Sequence, residues 1–100
     1  MKKYFKLGEI FFTDGIKKAI QVDPGFSRFI IQSLRKHQSG DWGMLCDSDR
    51  KYNDLCLANH SDRLFSSYPI QSSIFNQQGK IWIITNLSQN NTTILFPYEN

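Results

Sequence analysis

The stretch KIWIIT, residues 80–85, constrains the fold more than any other part of this chain. Strand side chains alternate between faces, so Ile81 and Ile83 point one way while Trp82 and Ile84 point the other. Both faces are apolar, which places the strand centrally in a sheet covered in part on both sides. Such a strand needs neighbours. RLFSSYPI (63–70) and TTILFP (92–97) are the candidates, separated from it by the polar stretch QSSIFNQQG (71–79) and by a hairpin at NLSQNN (86–91). Asn90 and Asn91 suit the positive φ angles of a tight hairpin turn. Pro69 and Pro97 fit only at edges or strand ends. The Thr-rich last strand is expected to be uncovered, as an edge where a partner strand can pair.

The first half of the chain has helical rather than strand periodicity. YFKLGEIFFT (4–13) reads as a strand or extended segment, after which Thr13 or Asp14 can cap a short helix with Ile16, Ala19 and Ile20 on one face. DPG (23–25) reads as a turn. A second helix follows, with Phe26, Phe29, Ile30 and Leu34 as its apolar stripe and Ile31 at the margin. Arg28, Gln32, Arg35 and Lys36 lie largely on its other side, and Gly40 supplies the stop. The third helix starts near Asp47 or Ser48, with Tyr52, Leu55 and Cys56 as its inner face and Asn59 as its breaker. The expectation is one α+β domain over residues 1–100, with three short helices packed on one face of a three- to four-stranded antiparallel sheet.

A chain of 100 residues supports one core and not two. With 40% hydrophobic and 21% charged residues, it has the composition of a soluble globular protein. Its apolar clusters are far shorter than the roughly 18 residues of a membrane span. Lys6 and Glu9 interrupt the apolar part of the N-terminus, so a signal peptide is not expected, and a cytoplasmic location is. A net charge of +3 is a mild excess that excludes an acidic mimic of nucleic acid and falls short of a dedicated duplex binder. Two cysteines, Cys46 and Cys56, are too few for a disulfide framework and read as small buried hydrophobes.

KHQSGDWG (36–43) is the stretch richest in chemistry. His37 can act as a general base near neutral pH, with Asp41 orienting its imidazole and Ser39 as a nucleophile. The structural alternative is an inter-helix turn. Gly40 and Gly43 permit the reversal, the Asp41 carboxylate accepts backbone N–H bonds within it, and Trp42 folds back as an apolar anchor between helices and sheet. The turn is the preferred reading. His37, Cys46, Cys56 and His60 do not have the close ligand pairs of a structural zinc site, so no metal or other cofactor is expected. RNA remains a candidate partner, through Arg28, Arg35, Lys36, Arg50, Lys51 and Arg63 and stacking by Tyr52, Tyr68, Trp82 and Tyr98. These aromatic residues sit at core-like positions, which weighs against stacking. LGEIFFTDG lacks the spacing of a phosphate-binding loop, and no small-molecule substrate is inferred.

HQSGDWG, CDSDRKYND, RLFSSY, GKIWIITN and TTILFP, in that order, together with the opening LGEIFFTDGI, resemble a family of small proteins of roughly a hundred residues carried on plasmids, integrative elements and phages. Members typically carry an arginine before the histidine, an acid after GDWG and EADRS after WIIT. This chain has Lys36, Met44 and the neutral NLSQN in those places, so a site depending on those charges could not operate here. The resemblance implies a mobile-element setting in a bacterial host cell, and small proteins of such elements often act against host defence by binding one macromolecule. The partner so implied is a CRISPR effector, an RNA-guided nuclease, with the RNA-targeting type VI class favoured, and the protein would be an anti-CRISPR that blocks guide or target engagement. The surface expected to do this is Arg35, Lys36, His37, Trp42, Arg50 and Lys51. The alternatives are a nucleic-acid-acting enzyme using His37 and Asp41, and an accessory protein of the mobile element that binds RNA.

Overall fold

The structure, a computed structural model, describes residues 3–70 and 79–100; of the expected polar loop at 71–79, all but Gly79 lies outside the described residues. The elements run β1 (Glu9–Phe12), α1 (Asp14–Val22), α2 (Pro24–Gln38), α3 (Asp47–Asn59), β2 (Arg63–Pro69), β3 (Lys80–Asn86) and β4 (Asn91–Leu95), closed by a 3₁₀ turn at Pro97–Glu99. This is the α+β architecture expected from the periodicities. Helical side chains from α1 and α2 (Ile16, Ala19, Phe26, Ile30, Leu34) pack with Tyr68, Ile81, Ile83, Ile94 and Phe96. A second cluster of Phe5, Trp42, Cys56 and Leu64 ties α3 and the α2–α3 loop to the same face.

The sheet order is β1-β4-β3-β2, with β2, β3 and β4 antiparallel and β1 parallel to β4. KIWIIT is therefore central, as its two apolar faces require. The last strand is not an edge. β1 covers it, and Thr92 within it is fully buried, with its hydroxyl donated to the Leu7 carbonyl (2.7 Å). The edges are β1 and β2.

Helix boundaries follow local chemistry. The Thr13 hydroxyl accepts from the Ile16 N–H (3.5 Å) at the start of α1. DPG is a helix start rather than a free turn. Asp23 ends α1 and caps α2, accepting from the Gly25 N–H (3.0 Å), while Pro24 takes the first helical position, where no N–H is needed. The α2 stripe runs through Phe26, Ile30 and Leu34 and continues into buried Ser33 and His37, with Ile31 left exposed. At its C-terminus Arg35 and Lys36 complement the helix dipole and Gly40 takes φ +82°.

The phase of α3 differs from the expected one. Asn53 and Cys56 are buried, whereas Tyr52 and Leu55 are 52% and 57% exposed. The helix lies along the outer side of β2, so only a narrow stripe is covered, and that stripe meets backbone polar groups. The helix ends at His60, which adopts φ +53°, one residue beyond the expected breaker. Cys46 is exposed, contrary to the expectation that both thiols are buried, because it precedes α3 on the solvent side.

Candidate functional site

His37 stands on the inward face of α2 with no exposed surface. Its Nδ1 lies 2.5 Å from Ser66 Oγ and its Nε2 lies 2.9 Å from Thr85 Oγ1. Thr85 in turn lies 2.7 Å from Thr92 Oγ1, and Thr92 donates to the Leu7 carbonyl. That carbonyl can only accept, and it sets the direction of the protons from Thr92 back to the imidazole Nε2. With the Thr92 proton committed to Leu7, Thr85 must donate to Thr92 and His37 Nε2–H must donate to Thr85. The row therefore puts a proton on Nε2, and burial disfavours a second one, so Nδ1 accepts from the Ser66 hydroxyl. Desolvation by burial carries its pKa from 6.5 down to about 3.

This geometry opposes the acid-base reading of KHQSGDWG. The lone pair on Nδ1 that a general base would use accepts the Ser66 hydroxyl, and the ring has no exposed surface. Neither ring nitrogen pairs with Asp41; the partners are Ser66 and Thr85. The Asp41 carboxylate accepts from the Gly43 N–H (3.2 Å), and the Ser39 hydroxyl donates to the Lys36 carbonyl (2.9 Å).

The loop works as structure. The Ser67 N–H donates to the Trp42 carbonyl (3.1 Å) and the Met44 N–H donates to the Ser67 carbonyl (2.7 Å), so the loop pairs with the outer side of β2. Gly43 makes this approach possible. It holds φ +74°, and a Cβ there would stand 2.0 Å from the Ser67 carbonyl oxygen. One step along β2, the Asn53 side chain completes the same task. Its amide donates to the Phe65 carbonyl (2.6 Å) and its carbonyl accepts the Phe65 N–H (3.1 Å). Together they occupy the outward backbone groups of Phe65 and Ser67 on the β2 edge.

The six residues expected at a partner surface are not one surface. His37 is buried, and Trp42 is buried against Phe5 and the His37 ring, with its indole N–H donated to Asp54 (3.1 Å). Arg50 is exposed, but its guanidinium holds the loop by donating to the Leu45 and Gly43 carbonyls (3.0 and 3.1 Å). Arg35, Lys36 and Lys51 remain at the surface, with the Lys36 ammonium 5.9 Å above the Tyr68 ring. Among the described residues no group of three or more His, Cys, Asp or Glu is placed to hold a metal ion, and no helix is long and apolar enough to cross a membrane.

The feature that sequence reasoning missed is that the apolar Trp82–Ile84 face of the sheet, expected to be covered in part, forms an open site. Register aligns Phe65, Ile84, Thr93 and Phe11 in one row across all four strands, beside Trp82 and Leu95. Trp82 and Phe65 meet edge-to-face with centroids 5.2 Å apart. Where this face meets α3, an open cleft of about 450 Å³ is lined by Tyr52, Phe65, Trp82 and Ile84 among apolar groups and by Asp49, Asp62 and Arg63 at its charged rim. The Asp62 carboxylate accepts the Tyr52 hydroxyl and thereby holds the phenol pKa up at about 12. Of the aromatic residues expected at core-like positions, Tyr52 and Tyr98 are exposed, Trp82 is half-buried and Tyr68 is buried.

Comparison with protein-family models, with curated proteins and with solved structures finds no match for this chain.

Proposed function

We propose that the protein acts by binding, as an inhibitor that docks on an RNA-guided nuclease of host defence, and that the cleft at Tyr52 and Trp82 is its docking surface. The nuclease, with the type VI class first, is the partner expected of a small protein in the mobile-element setting that the sequence motifs resemble. The surface comes from the sheet face, and the observation that carries it is the exposed Tyr52–Phe65–Trp82 cleft. Tyrosine, tryptophan and arginine are the residues that dominate binding energy at protein interfaces, and here Arg63 stands beside two aromatic groups around a concave site.

The charge of the cleft favours a protein partner over RNA. A stacking platform for single-stranded nucleic acid is lined by cations, whereas here Asp49 and Asp62 stand against Arg63. The neutral, fully hydrogen-bonded state of His37 supports binding rather than hydrolysis as the mode of action.

The test is co-purification with a type VI effector, paired with an assay of its RNA cleavage. Tyr52→Ala and Trp82→Ala should abolish capture and inhibition while leaving the fold measurable by circular dichroism. Retained inhibition in the double variant would overturn the cleft assignment. Capture of RNA alone, sensitive to Arg35→Ala and Lys36→Ala, would replace the reading with nucleic-acid binding.

A further inference from the structure

The two edges of the sheet are finished differently. On β2 the Asn53 amide and the Trp42–Met44 backbone occupy the outward groups. On β1, among the described residues, no strand pairs with the outer side. All of β1 is exposed, with Ile10, Phe11 and Phe12 at 39%, 45% and 36%. An edge of this kind, apolar and uncharged at its centre, is what folds ordinarily protect.

Hydrogen-bond parity says what fits it. The Glu9 N–H donates to the Asn90 carbonyl and the Thr13 N–H to the Ile94 carbonyl, so odd-numbered residues address β4. Ile10 and Phe12 therefore direct their N–H and C=O groups away from the sheet. Two donors and two acceptors, spaced two residues apart around Phe11, are self-complementary under a two-fold axis.

We infer that β1 is a homodimer interface, in which two copies pair antiparallel through Glu9–Phe12 with Phe11 on the axis. In this register Ile10 faces Phe12 of the second copy and Phe12 faces its Ile10, and these are the hydrogen-bonded pairs. Phe11 meets Phe11 at the non-bonded position, where Cα atoms approach to about 4.5 Å. Every exposed apolar side chain of β1 gains an apolar partner, and cross-strand aromatic pairs are favourable. Glu9 falls opposite Thr13, which keeps the two Glu9 carboxylates apart. A shift of the register toward Gly8 would bring its φ of +67° into the ladder, which extended pairing does not accept. The product is one continuous eight-stranded sheet.

Light scattering coupled to size exclusion, from micromolar to millimolar concentration, tests this on the intact chain. The expected result is a concentration-dependent approach to twice the 11.7 kDa chain mass. Phe11→Glu should weaken the dimer about tenfold or more, because it places like charges directly opposite each other. Ile10→Pro should do the same by removing an outward N–H while sparing the bonds to β4. On a Cys46→Ser background, Phe11→Cys should cross-link on oxidation and Glu9→Cys should not. A monomer at every concentration, a dimer indifferent to Phe11→Glu, or equal cross-linking at positions 9 and 11 would each overturn the inference. A monomer whose β1 amides become protected only by a foreign strand would overturn it as well.

Discussion

The Asn53 side chain pairs with Phe65 as a neighbouring strand would, donating one hydrogen bond to its carbonyl and accepting one from its N–H, at 2.6 and 3.1 Å. A single amide thus stands in for a fifth strand at the β2 edge, and α3 is oriented so as to deliver it. Asn53→Ala leaves two backbone groups under a helix with no partner. At about 1–3 kcal/mol for each unsatisfied buried group, the expected loss is at least about 2 kcal/mol in urea denaturation. Asn53→Asp should do no better, since its carboxylate keeps an acceptor for the Phe65 N–H but opposes the Phe65 carbonyl. Faster hydrogen exchange at Phe65, without change at Ile83, is the local signature; a variant as stable as the parent would remove Asn53 from this role.

His37 predicts an acid-sensitive fold. Its pKa falls from 6.5 in the unfolded chain to about 3 in the folded one, so the unfolded state binds the extra proton across that interval. Stability is full above the unfolded value and declines as pH drops toward the folded one, by on the order of 1 kcal/mol per pH unit from this group alone. His37→Gln retains a donor near the Nε2 position and does not titrate. It should cost stability at neutral pH but flatten the decline between pH 6.5 and 3. Denaturant midpoints of both proteins across that range decide it, and parallel curves would show that the imidazole is not the group responsible.

Much of this was legible in the residues, and the failures have physical causes. KIWIIT identified itself as central because its two faces are apolar, and the Trp42 anchor and the Asp41 turn followed from the two glycines around them. His37 drew interest as a base, yet it continues the Phe26, Ile30, Ser33 and Leu34 phase of α2 into the core. Ser66, Thr85 and Thr92 gave a signal too, being small hydroxyl residues at inward strand positions. The α3 phase misled because Cys56 belongs to either stripe, and Tyr52 and Leu55 outweigh Asn53 in apolar content. Only the unmet backbone of β2 makes the asparagine the better inward residue. The parallel β1–β4 pair was not legible, since alternation shows which face a residue takes and not which strand lies beside it.

The C-terminal turn closes onto the start of α1 through Glu99, and this supplies the last prediction. One carboxylate oxygen accepts from the Thr13 hydroxyl (2.6 Å) and the Phe96 N–H (2.9 Å), and the other accepts from the Gly15 N–H (2.9 Å). Burial alone would push the pKa up, but the bonds from Thr13, Phe96 and Gly15 outweigh it and leave the pKa lowered. A depressed carboxylate contributes stability above its ordinary range, and the contribution disappears as pH falls through the folded value. Glu99→Gln removes the charge at the helix N-terminus and one accepting oxygen, so it should cost about 1 kcal/mol at neutral pH, or about 4–8 °C in Tm. The deficit should shrink in acid, where the parent carboxyl is itself protonated. Thr13→Ala should be partly redundant with it, because both variants break the same bond, and the double variant should lose less than the two single losses combined. Strict additivity, or a Glu99→Gln deficit that persists unchanged into acid, would place the stabilisation elsewhere in the turn.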